Sequence, residues 1–137
     1  MADLYPALAV GDCLDESQAV IINAKVAATV TKGQLVIFNT HTSGEIPSVS
    51  PAGAAAANCL GMALKGGSVG EFIPILAMGI AKVTDSGAGV TGGVCIVSGA
   101  AGKIATVGTN TFEKAIGRAL QTFGAGDTGL AYINCLL

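Results

Sequence analysis

Self-similarity constrains this chain more than any other feature. TKGQLVIFNTHTSGEIPSVS, from Thr31, lies over TGGVCIVSGAAGKIATVG, from Thr91. Gly33 falls on Gly93, Val36 on Ile96 and Ile37 on Val97. With a loop two residues shorter in the second copy, Gly44 falls on Gly102, Ile46 on Ile104 and Val49 on Val107. Further along, LGMAL from Leu60 matches IGRAL from Ile116, and Gly70-Glu71 matches Gly126-Asp127. The shared order of elements goes beyond composition bias and implies a duplicated unit within one fold.

Each copy reads as strands. QLVIF and VCIV are short β-branched runs, followed by turn-rich loops (NTHTSG, SGAAG) and the alternating runs EIPSV and KIATV, a hairpin pattern. The copies end on FIPILAMGIAKV and GLAYINCLL. Helix signals are weak, with one candidate helical turn at Ala54 to Ala57. The expected fold is mostly β, a compact β-sandwich or small β-barrel built from two similar halves. The expected organisation is an extended N-terminal arm over residues 1–17 and a β domain over 18–137, with the repeat at about 31–83 and 91–137.

Charge and composition exclude several function classes. Seven Lys and Arg stand against nine Asp and Glu with no basic run, so phosphate-backbone binding has no electrostatic footprint and no nucleic-acid partner is expected. The opening segment carries Asp3 and has no Lys or Arg before Lys25, so no export signal is read. The uncharged stretch before Lys65 contains Pro47, Pro51 and Asn58. Its counterpart in the second copy carries Glu113, Lys114 and Arg118, so no membrane span is expected. A mean hydropathy of +0.65 is high for a soluble chain of this size and suggests apolar surface closed against other chains.

The candidate chemical residues are few. Cys13, Cys59, Cys95 and Cys135 are widely spaced, and His41 is the single histidine, so no metal-ligand spacing is present and no metal or cofactor is expected. That absence fits an intracellular protein with reduced, mostly buried thiols. Cys59 stands where the second copy has Ala115, and Cys95 where the first has Leu35, which marks both as small core hydrophobes and not nucleophiles. GAGVTG (Gly87, Gly89, Gly92) and GAGDTG (Gly124, Gly126, Gly129) fit GxGxxG on paper. Both lead into strand-like runs, not helices, so they read as turns. His41 reads as a loop residue, and a thiol site pairing it with Cys13 or Cys59 is the weakest of the functional alternatives. Glu71 and Asp127 occupy equivalent positions after Gly-rich turns and read as turn acids, and Asp12, Asp15 and Glu16 cluster early; catalysis would need a pocket that brings two carboxylates together. VTKGQLV shares strand-turn grammar with biotinyl and lipoyl carrier domains, but the carrier lysine motif is absent and Lys65 is the single lysine with any turn context. The alternative function is therefore a small β-barrel ligand-binding or carrier module. Residues 1–17 lie outside the repeat, and Leu4, Tyr5, Pro6 and Leu8 are the candidate interface residues of the arm.

The run VTKGQLV, CLGMALKGGSVGEFIPILAMGIAKV, GGVCIVSGAAGKIATV, AIGRALQTFGAGDTGLAYI resembles the small capsid decoration, or cement, proteins of tailed bacterial and archaeal viruses, from about Val30 to Leu137. That resemblance implies a β-rich, non-enzymatic virion protein with no catalytic residue and no cofactor. It would be made in the host cytoplasm and bind the outer surface of an icosahedral capsid, contacting the major capsid protein and copies of itself as a homotrimer. The apolar N-terminus departs from the family pattern.

Overall fold

The computed structural model describes residues 8–39, 48–109 and 114–135. Within them the chain forms nine strands and no α-helix: β1 (Val20–Val26), β2 (Leu35–Phe38), β3 (Ser48–Pro51), β4 (Cys59–Ala63), β5 (Phe72–Thr84), β6 (Cys95–Ser98), β7 (Ile104–Thr106), β8 (Gly117–Ala119) and β9 (Thr128–Asn134). The expected mostly β architecture is observed. Ala54 to Ala57 form tight turns, not a helix, with Ala55 at φ 49°.

The pairings explain the repeat. The first copy is a closed, mixed five-stranded barrel. β1 pairs antiparallel with β5 and parallel with β3, β2 lies between β3 and β4, and β4 returns to β5. The second copy runs β7-β6-β8-β9 and is completed by the second half of β5, which takes the place that β1 has in the first. It closes through a single parallel bridge, Asp85 to Ile104, where the first copy has a two-pair ladder, Lys25 with Ser48 and Val26 with Val49. The 13-residue β5 therefore serves both halves.

Matching hydrogen bonds set the true correspondence. Gly33 N–H donates to Ala63 O at 2.8 Å as Gly93 N–H does to Ala119 O at 2.7 Å, and Ala27 N–H donates to Val49 O as Ser86 N–H does to Ile104 O, both at 2.8 Å. These bonds, and the pairing of Phe38 with Val49 and Ser98 with Ile104, place Val49 on Ile104. The expected match of Val49 to Val107 is thus shifted by three residues. The second-copy hairpin loop is shorter than the sequence alignment allows, and Gly44 and Ile46 lie outside the described residues.

Burial follows the same correspondence. One apolar cluster of the first barrel contains Ala24, Val26, Val30, Val36, Val49, Leu60, Ala63, Ile73 and Ile75. Counterparts of seven of these, Val83, Val90, Ile96, Ile104, Ile116, Ala119 and Ala131, belong to the other cluster. One exception is a size exchange. Gly67 faces Ile73 in the first copy, whereas Phe123 faces Gly129 in the second, so large and small residues trade places and the volume is kept. The remaining exception is Asp85, which takes the position of Val26. Leu35, Met62 and Leu76 join the second cluster, so the two halves share one continuous apolar seam.

Candidate functional site

Asp85 is the most chemically distinctive residue of the second half. It is 1% exposed, as is its apolar counterpart Val26. Taking a carboxylate out of water costs several kcal/mol unless hydrogen bonds replace its hydration (of order several per ion). The sequence supplies them through DSGAG, an Asx-type turn whose glycines tolerate the positive φ of 149° at Gly87 and 84° at Gly89. Oδ2 accepts from the backbone N–H of Gly87 at 2.9 Å, of Gly89 at 2.8 Å and of Gly126 at 3.1 Å. Oδ1 is buried and makes no hydrogen bond to the described residues.

Burial pushes the Asp85 carboxyl up, but the amides of Gly89, Gly126, Gly87 and Ser86 outweigh it and hold it below the usual aspartate value. The Ser86 N–H is itself given to Ile104 O, so it acts on the carboxylate through its dipole. In the first copy Gly70 N–H donates to the backbone carbonyl of Val26 at 2.8 Å, and in the second its counterpart Gly126 N–H turns to the Asp85 side chain. The two glycine motifs therefore converge on an anion, and that anion is the protein's own carboxylate. This fills the loops internally, with no external phosphate needed to satisfy them.

The other singled-out residues are dispersed. Leu4, Tyr5, Pro6 and His41 lie outside the described residues. Leu8 is half-buried and its carbonyl accepts from Lys82 Nζ at 2.9 Å. The segment after it runs along β5: Gly11 N–H donates to Lys82 O, Leu14 N–H to Ile80 O, and Cys13 bridges to Ala81. Asp12 pairs with Lys32 at 2.6 Å, and the Lys32 hydrogen bond lowers its carboxyl. Asp15 caps the single turn Glu16–Gln18. Glu71 and Asp127 do occupy equivalent exposed turns, each carbonyl accepting from the N–H of Val26 or Asp85. Burial pushes the Cys13 thiol up, which makes it a poorer nucleophile. Cys59 meets Cys135, with which the sequence does not pair it. Lys65 is exposed on the turn after β4.

Among the described residues no group of three or more His, Cys, Asp or Glu could hold a metal ion, and no helix is long and apolar enough to cross a membrane. An open groove of about 450 Å³ runs past Val30, Lys32, Gly67, Ser68 and Glu71 at one end of the first barrel. Close by in sequence, Val69 and Phe72 are 66% and 61% exposed, a large apolar presentation for a chain with so few aromatics.

These features define a class by architecture: a mixed five-stranded β-barrel and a second, similar strand set built around one shared strand. No protein-family model and no curated protein matches the chain. Among solved structures it is similar to the head fiber gp8.5 N base of bacteriophage phi29, with a TM-score of 0.62 and 17% identity over 85% of this chain and 94% of that one. At that identity the likeness establishes a shared fold.

Proposed function

We propose that this chain is a non-enzymatic structural protein of a phage head. It decorates and stabilises the outer surface of an icosahedral capsid by binding the major capsid protein and copies of itself as a homotrimer. The observation that carries this reading is the fold shared with a head fiber base over 94% of that chain. High apolar content, exposed Val69 and Phe72 and the apolar residues Leu4, Tyr5 and Pro6 support it as a protein that acts through contact surfaces. The hydrogen bonds of Gly87, Gly89 and Gly126 to Asp85 support a scaffold role over a phosphate-binding one. No cofactor enters this reading.

Quantitative peptide mass spectrometry on purified particles tests it, by comparing this chain with the major capsid protein. A copy number of the same order, with the chain removed by surface proteolysis of intact heads, is the expected result. Absence from particles overturns the proposal.

A further inference from the structure

The sulfurs of Cys59 and Cys135 come together where the two halves join. β4 and β9 pair with the same side of β5, β4 opposite Ile75 and Leu76 and β9 opposite Met78 to Thr84. Their directions bring the start of β4 and the end of β9 to one place, where Cys135 N–H donates to Ala77 O at 2.8 Å. Both side chains pack half-buried against the shared apolar cluster, with each thiol near enough to perturb the acidity of the other. Neither cysteine is a requirement of the repeated fold, since Cys59 corresponds to Ala115 and Cys135 to Gly79. The pair is an addition at the seam.

We propose that Cys59 and Cys135 are an oxidisable pair, which forms a disulfide tying the closing strand of the second half to the first half. Contact with the Cys135 thiol lowers Cys59 despite its burial and raises Cys135, which favours Cys59 as the attacking sulfur. With a low-molecular-weight disulfide as oxidant, the Cys59 thiolate attacks one of its sulfurs, and a mixed disulfide forms as one thiolate leaves. Cys135 then gives up its proton and attacks the Cys59 sulfur, expelling the second thiolate. Two electrons pass from the protein thiols to the oxidant, which leaves as two thiols. The bond closes a loop of about 75 residues, a length at which a disulfide strongly restricts the unfolded chain.

The inference is independent of the head-protein reading. The test is to incubate the native full chain with oxidised glutathione and record intact mass, a non-reducing peptide map and the melting temperature. Expected are a loss of about 2 Da, a linked peptide joining Cys59 and Cys135, alkylatable Cys13 and Cys95, and a melting temperature raised by about 5–15 °C. Cys59→Ala, which installs the residue of the other copy, should abolish both the link and the rise, and Cys135→Ser should do the same. A stable glutathione adduct that never resolves, a link through Cys13 or Cys95, or full-length thiols left unmodified overturns it.

Discussion

Replacing Asp85 tests the reasoning about the second half most directly. Three backbone N–H groups converge on Oδ2 at 2.8 to 3.1 Å. Hydrogen bonds to a charged acceptor contribute about 1.5–3 kcal/mol each, against several kcal/mol for burying the ion. Gly87 and Gly126 are exposed enough for water to replace part of what they lose. The expected net cost of Asp85→Ala is therefore about 3 kcal/mol, not the sum of three bonds. For a chain of this length that is a fall in melting temperature of roughly 10 °C. Asp85→Val keeps the volume and copies Val26, yet it should lose nearly as much, because Gly126 N–H in this copy donates to the Asp85 side chain, whereas Gly70 N–H donates to the main-chain carbonyl of Val26. Asp85→Asn, which keeps an acceptor, should cost about 1–2 kcal/mol. Thermal and urea unfolding followed by circular dichroism measures the series, and amide exchange at Gly89 and Gly126 should accelerate in Asp85→Val. Unfolding of Asp85→Val within 1 °C or so of the parent would refute the argument that the carboxylate stabilises this half through the amides of Gly87, Gly89 and Gly126.

Because the folded carboxyl of Asp85 lies below its unfolded value of about 3.9, its stabilisation is complete above that pH and disappears as pH falls through the folded value. Asp85→Asn should flatten that acid limb, which acid titration of stability will show. Gly61 and Gly117 sit at φ 155° and 151°, where a side-chain carbon would lie 2.1 Å from Leu76 O and 1.8 Å from Tyr132 O. Alanine at either should cost more than about 3 kcal/mol, and soluble yield and melting will report it equally in both halves. Gly129→Ala drives a carbon to 2.3 Å from the Phe123 ring, so it should destabilise alone and recover when combined with Phe123→Gly, a coupling that a double-mutant cycle measures. Deleting residues 1–7 should leave melting unchanged and weaken capsid binding in a co-sedimentation assay. The cut is placed there because residues 11–14 are bonded to β5. Equal binding by the shortened chain would exclude the arm.

Local pattern determined much of this protein. Turn glycines at Gly33 and Gly93, β-branched runs such as LVIF and CIVS, and the interchange of Cys95 with Leu35 are all properties of neighbouring residues. A repeated string of them announces a duplicated β fold before any long-range contact is known. DSGAG also announces a carboxylate turned onto its own glycines, but nothing in that motif says that Gly126, 41 residues away, completes the set. Tertiary structure alone decided four things. β5 belongs to both halves, because the strand that completes the second copy is the one that closes the first, and a repeat search aligned on Thr31 and Thr91 starts after both β1 and its counterpart. Val49 matches Ile104, because the hairpin register is fixed by the hydrogen bonds of the partner strands and not by loop residues. Asp85 stands for Val26, and Cys59 meets Cys135, because barrel closure brings distant segments side by side, and a local sequence pattern has no means of recording which distant edge it will meet.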